Sequence, residues 1–548
     1  MFSSRFAAFL GILSLSLAVQ IGPLATANPF GNPNYNSYKD VTWPAFGATP
    51  RLESEPRDYP LQELNTRAIN KAIYDCHNEG GGIVHVKKKG NRGIYDISQI
   101  RMLSKVTLKV DEGVTLLASN WWRDYRSLPP DDVNITDPNV TADPDTWPQL
   151  NNLAPTAFDF SYAVINATGC YDIAVIGTGT IDGNRSRVPA DADLNGFQTW
   201  QAIRAEATGF AEGWDDDDYV GDPGQRRGVH LIRFIDCTNV KIGNLDGNTS
   251  PNSGAARLNF VDSGNYTLYL NESKVVDIRN VNIFGGWDGI HARFGETFAV
   301  VNLHIVNNMD DGIAGHNCFN WYAENVTIDG GYFAEDSEDI SPALPEKVAD
   351  AAAGISQGNG WRFGCVLFYA RDVEVRDKEQ AGIHYFADAE YERPADNDYN
   401  LGSNGFASTD WTLKDWTIQD CDFAFYYHWD GLWQDAGPLG SVTLENFNGW
   451  FIREQPIIWD NEFGPKKGDL TLKNCTMLIS FVKPSIGVGY GMFARSINSL
   501  RLEGQNYWNY FWFQDTNNFP PPNPVEVVDN TVSFGNQPYS GQIYFQGY

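Results

Sequence analysis

From about residue 80 to about residue 510 the chain repeats one local pattern. A short run of β-branched or aromatic residues alternates with polar ones, a Gly-, Asn- or Asp-rich corner follows, and another short run begins. Such runs fall at 173–175, 240–242, 276–278, 301–305, 326–328, 373–375, 411–413, 442–444, 470–472 and 500–502. Alternation at a period of two predicts strands with one buried face. The corners, such as Ile181-Asp182-Gly183 and Asp329-Gly330-Gly331, carry residues that turn the chain cheaply. The runs recur roughly every 25 to 50 residues with no low-complexity linker, which predicts a solenoid whose coils bury one another. Short strands with irregular insertions fit a right-handed parallel β-helix better than a propeller of regular four-stranded blades. Asn325 and Asn474 sit at corners, where Asn tolerates the left-handed backbone.

One early helix is legible. Ala68, Ile69, Ala72 and Ile73 form an apolar stripe, Thr66 is placed to cap it, and Gly80-Gly81-Gly82 ends it. It would plug the N-terminal end of the solenoid. Long loops are expected at 121–157, 187–226 and 387–409, the second holding Asp215-Asp216-Asp217-Asp218, and they are candidates for groove walls. The resulting plan is a signal peptide (1–27), an N-terminal extension (28–59), a β-helix catalytic domain (60–515) and a tail packed on it (516–548).

Composition adds the compartment. Arg5, an apolar run to Leu17 and Ala25-Thr26-Ala27 read as a cleavable export signal, and no later stretch reaches the about 18 apolar residues of a membrane span. Nine sequons, at Asn134, Asn139, Asn166, Asn184, Asn248, Asn265, Asn271, Asn325 and Asn474, agree with a secreted, extracellular glycoprotein. The 7 cysteines are widely spread, without zinc spacing, which argues against a metal framework. An oxidising compartment allows one to three disulfides, the odd count leaves at least one thiol free or paired outside the chain, and buried free cysteine is the plain reading for several. A formal charge of −29 excludes nucleic acid and anionic membranes as general partners and gives no overall attraction for a polyanion. The 17 Trp suit sugar stacking as well as a large core. Tyr426-Tyr427-His428 and Trp429-Asp430-Gly431 pose the same choice, with core packing favoured.

The helix, the glycine turn and the strands at 106–108 and 114–116 resemble the opening of the pectate-lyase-like β-helix superfamily. The segment at 177–183, reading Gly-Thr-Gly-Thr-Ile-Asp-Gly, resembles glycoside hydrolase family 28, the polygalacturonases. So does the Arg-led strand and Cys237-Thr238-Asn239-Val240 corner that follows. The resemblance spans roughly residues 60 to 390. It implies a monomeric enzyme without cofactor or metal that cleaves a plant or microbial polysaccharide.

Two segments carry candidate chemistry. They are Gly286-Trp287-Asp288-Gly289-Ile290-His291 and the stretch from Asn308 to His316 that holds Asp310-Asp311. Asp288 precedes the pair by 22 and 23 residues, about one coil, which would stack the three carboxylates about 4.8 Å apart laterally. Like charges this close raise at least one pKa, and glycoside hydrolysis needs one protonated and one ionised carboxyl. By resemblance Asp310 is the general acid, Asp288 and Asp311 activate water, and the anomeric centre inverts. Asp-Gly pairs are also ordinary turn residues, and Asp-Asp pairs also bind Ca²⁺.

This sequence departs from the family at the flanks. Asn359 stands where a histidine is usual, and His384-Tyr385-Phe386 replaces the Arg-Ile-Lys that grips a galacturonate carboxylate. His291, Arg293, His316, Asn359, Arg362 and His384 are therefore the candidate substrate-binding residues. The chain also resembles family 49 dextranases and isopullulanases, which implies a possible neutral α-glucan substrate. Two other readings stay open: a uronate lyase or epimerase, against which few basic residues are expected near the cluster, and a non-catalytic carbohydrate-binding β-helix.

Overall fold

The computed structural model describes residues 39–41, 49–119 (without 53 and 56–58), 163–184, 230–245, 256–330 (without 307 and 309), 359–385 (without 379), 410–429, 440–461, 468–479, 492–495, 499–508, 513–514, 526–534 and 537–538. The expected signal peptide, the three long loops and Pro520 to Pro524 lie outside the described residues. So do Asn134, Asn139 and Asn248.

The described strands form a right-handed parallel β-helix. They hydrogen-bond into one 30-stranded sheet in which each coil pairs in parallel with the next. The one antiparallel strand pairing joins 533–534 to 537–538 at the C-terminal end. The right hand is the rule for a strand that crosses over to a parallel neighbour. No helix among the described residues is long and apolar enough to cross a membrane.

One interior column shows how the sequence builds the stack. Ile173, Val240, Val276, Phe298, Trp321, Phe368, Trp411, Val442, Leu470 and Leu500 pair in register, coil after coil. All ten are buried. The alternation read from the sequence is this inward face. Phe298 lies flat on Trp321, with centroids 4.4 Å apart, so the wide middle coils are filled by stacked rings.

Helix α1 (Tyr59–Asn78) closes the N-terminal end, burying Ile69, Ala72 and Ile73. Thr66 is not its cap. It lies inside the helix, its hydroxyl donating to the Gln62 carbonyl at 2.8 Å and accepting from the Ser98 amide at 2.9 Å, so it ties the plug to the first coils. The sheet also runs past both expected domain edges: 39–41 pairs with 82–84, and 526–534 adds a coil beyond 499–508.

The 7 cysteines are free buried thiols, the plainer of the two readings of the sequence. Most donate to nearby main-chain carbonyls, as Cys237 Sγ does to Ile235 at 3.2 Å, and serve as core filling.

The site is carried by six strands: β1 (Leu268–Asn271), β2 (Ile290–Arg293), β3 (Ile313–Asp329), β4 (Trp361–Arg376), β5 (Ala381–Tyr385) and β6 (Phe423–Trp429). Ile290, Ile313, Trp361 and Ile383 share one register position. Two residues upstream of each stands a corner residue followed by glycine: Asp288-Gly289, Asp311-Gly312, Asn359-Gly360 and Ala381-Gly382. A Cβ on Gly289, Gly312 or Gly360 would fall 2.6 Å from the carbonyl oxygen of the next glycine in the column. Only glycine lets these corners stack, and the stacking places the residue before each glycine directly above its counterpart.

Candidate active site

Asp288, Asp310 and Asp311 come together at this corner. One carboxylate oxygen from each lies within 4.8 Å of the others. The coil-to-coil ladder sets this spacing, with the Gly289 amide donating to the Asp311 carbonyl at 3.2 Å and the Asp310 amide to the Trp287 carbonyl at 3.0 Å.

The three acids differ in surroundings. Asp288 is 2% exposed; its Oδ1 accepts the Asp311 amide at 3.2 Å and its Oδ2 faces His291 Nδ1 at 2.6 Å. Asp311 is equally buried, and its Oδ1 accepts both the main-chain and side-chain N–H of Asn359, at 2.8 and 3.1 Å. Asp310 is half-buried at the outer edge, with Oδ2 accepting the Trp287 indole N–H at 2.8 Å. Burial, then the charge of Asp310, pushes the Asp311 carboxyl up to about 6, against the opposing pull of Arg362 and the Asn359 donors. The corner therefore binds a proton at mildly acidic pH.

The candidate substrate-binding residues separate into supports and a more open row. His291 is buried between Tyr266, stacked on it 3.9 Å away and nearly parallel, and His316 at 4.9 Å. Its Nε2 accepts the Arg293 Nε–H at 2.8 Å, which puts the ring proton on Nδ1, facing Asp288. Arg293 and His291 thus form a relay that orients Asp288 from inside the wall. Asn359 is likewise a support. Beyond Asp311, its amide donates to Gln380 at 3.2 Å and its oxygen accepts the Ala381 N–H at 3.1 Å. Burial, with Arg362 and Arg293 nearby, holds His316 well below the ordinary imidazole range. It is a neutral ring at working pH.

The outward ladder runs Tyr269, His291, Ala314, Arg362, His384 and Tyr426 across β1 to β6. Arg362 and His384 are half-buried, and the His384 ring lies 4.7 Å from Tyr426. Tyr427, by contrast, is buried in the core.

Sequence reasoning missed Trp287 as a ligand of Asp310, and it missed Asn308 and Lys378. Asn308 Nδ2 donates to the Asp310 carbonyl at 2.7 Å. Lys378 is fully buried beneath the pair, its Nζ donating to the same carbonyl at 2.5 Å. Trp287 was legible as the residue beside Asp288. Lys378 was not, being 68 positions from its partner. With Arg293 and Arg362, it corrects the expectation of few basic residues here. Among the described residues the three acids are the one group close enough to grip a cation. Their oxygens already meet protein donors, and an acidic cluster alone specifies no ion.

Of the sequons, Asn166, Asn184 and Asn265 are buried, so a glycan linked there does not fit this fold. Asn184 Nδ2, for one, donates to the Ala118 carbonyl at 3.1 Å. Asn271, Asn325 and Asn474 are half-buried.

No family model matches the chain, and no curated protein matches it. Solved structures do. A family 28 exopolygalacturonase from Yersinia enterocolitica is 14% identical, covering 93% of this chain and 78% of its own, with a TM-score of 0.39. The A-module of a mannuronan C-5 epimerase from Azotobacter vinelandii is 13% identical, covering 91% and 100%, with a TM-score of 0.38. A surface adhesin of Streptococcus pneumoniae is 11% identical, covering 89% and 96%, with a TM-score of 0.45. A hydrolase, an epimerase and an adhesin thus stand at similar distance, and the likeness does not choose among them.

Proposed function

We propose that the protein is a secreted glycoside hydrolase that cleaves a polysaccharide at the corner formed by Asp288, Asp310 and Asp311. The observation that carries this reading is the meeting of three carboxylates from two successive coils within 4.8 Å, one of them with a raised proton affinity. Below about pH 6 the Asp311 carboxyl holds a proton. Asp310, the outer member, takes this proton from Asp311 and delivers it to the leaving glycosidic oxygen, which leaves Asp311 ionised. Asp288 and Asp311 draw a proton from a water aimed at the anomeric carbon. Attack by the water itself, with no covalent carboxylate intermediate, inverts the anomeric centre, as the resemblance implies.

The test is a reducing-sugar screen over pectins, rhamnogalacturonans, dextran, pullulan and other α-glucans at acidic pH, with the product anomer read by NMR. Release of reducing ends of inverted configuration is expected. A chain that binds one of these glycans and cleaves none is a binding β-helix instead.

Lys378 and Arg362 beside the acids favour a second reading, a lyase or epimerase on uronates, because a cation can stabilise charge at a carbon next to a carboxylate. Ultraviolet-absorbing unsaturated products or uronate epimers in the same screen would identify it. Export and glycosylation belong to the first proposal; mass analysis of the secreted chain before and after enzymatic deglycosylation checks them.

A further inference from the structure

We infer that Lys378 is a positioning residue that sets the proton balance of the acidic corner from beneath, and this rests on the proton-transfer reading above. Its Nζ donates to the Asp310 carbonyl at 2.5 Å and lies 3.3 Å from Asn308 Oδ1. Asn308 donates in turn to the same carbonyl and, at 3.3 Å, to that of Trp287. One ammonium, together with Asn308, therefore ties the main chain between the two acids to that of Trp287 on the coil before. It also stands where no solvent ion can stand, since the side chain is fully buried.

A buried ammonium is costly unless it is compensated. The titratable groups whose charge acts on Lys378 are Asp311, Asp310 and Asp288, with the Cys421 thiol from a later coil. The Arg453 guanidinium donates to the Lys378 carbonyl at 2.6 Å and so anchors its backbone. Burial pulls the ammonium's pKa down, and the three carboxylates pull it up, Asp311 first. The dependence is reciprocal. Three carboxylates in one pocket would shed charge by binding protons, and a cation sealed below them limits how many they take up. Arg362, which is half-buried, acts on Asp311 as well. Lys378 acts from the closed side and is indifferent to what is bound.

The experiment compares Lys378→Gln, which keeps a hydrogen-bond donor and removes the charge, with Lys378→Arg, which keeps the charge. The full chain is labelled with ¹³Cγ-aspartate, and Asp311 is assigned by the signal lost in Asp311→Asn. Lys378→Gln should raise the Asp311 midpoint by at least half a pH unit, and Lys378→Arg should return it toward wild type. On a glycan hydrolysed in the screen above, Lys378→Gln should move both limbs of the pH–rate profile upward. It should lower kcat about tenfold with KM within twofold. Unchanged carboxyl midpoints in a folded Lys378→Gln chain would overturn the inference. Should that variant not fold, the ¹⁵Nζ signal of wild-type Lys378 decides. A protected ammonium at pH 7 supports the inference, and a neutral amine there ends it. If no glycan is hydrolysed, the hydrolase reading fails while the carboxyl titration still reports on Lys378.

Discussion

Two polar columns run along this solenoid, and they put similar residues to opposite uses. At one corner Asn280, Asn302, Asn325, Asp372, Asp415 and Asn446 stack coil on coil, each with φ between 51° and 57°. Asn302 donates to Asn280 at 2.5 Å and Asn325 to Asn302 at 2.8 Å, so each amide satisfies the next. At the other corner Asp288, Asp311 and Asn359 stack before a column of glycines. Here the first two are carboxylates, which accept and cannot donate, so side-chain amides alone do not close the column. Asn359 and the Asp311 main-chain amide donate from within it, and His291 meets Asp288 from outside. A stack whose neighbouring amides bond one another, as Asn280, Asn302 and Asn325 do, is architecture. One that gathers three buried or half-buried carboxylates within 4.8 Å is a candidate for chemistry.

The largest expected contrast comes from the acids. Asp310→Asn should lower hydrolysis at least about 10³-fold, with the melting temperature and circular dichroism essentially unchanged, because the carboxyl that delivers the proton is gone.

The next effect concerns stability and pH. Asp311 has a folded pKa of about 6 against 3.8 for the free side chain, so protonation favours the folded state. That contribution is complete below about pH 3.8 and is lost as pH rises through about 6. A shift of about two units corresponds to about 3 kcal/mol. Asp311→Asn should therefore be more stable than wild type by up to about 3 kcal/mol at alkaline pH, and denaturant titrations should show the advantage vanishing by about pH 4.

The amide column should respond in the reverse sense. Asn302→Ala removes the donor to Asn280 and the acceptor for Asn325 at a backbone angle that alanine resists. It should cost about 2 kcal/mol in denaturant unfolding with kcat unchanged. Loss of activity without loss of stability would erase the distinction between the columns. The smallest effect is expected from Trp287→Phe, which deletes one N–H to Asp310 and keeps the packing. A roughly three- to tenfold fall in kcat, with the alkaline limb of the pH profile moved upward, would place that hydrogen bond in the proton balance.

Much of this architecture was open to reading in one dimension. The runs at 173–175 through 500–502 appear as strands, and their inward members form the buried column from Ile173 to Leu500. Alternation of period two is a local signal, set by which face of a strand meets water. The spacing of 23 between Asp288 and Asp311 was a local signal too, since one uninterrupted coil is about that long. Thr66 was misplaced because α1 starts seven residues before it, and nothing in the apolar stripe marks that earlier turn.

The sequence by itself determined that this chain must stack short strands and that its aspartates recur at coil spacing, because both follow from the period of the backbone. Only the tertiary structure decided which polar residues serve. It buried His291, Arg293 and Asn359 as supports, raised the proton affinity of Asp311, and brought Lys378 beneath Asp310 from 68 positions away. The reason is physical: burial and the distance between charges set a side chain's chemistry, and neither exists until the coils close on one another.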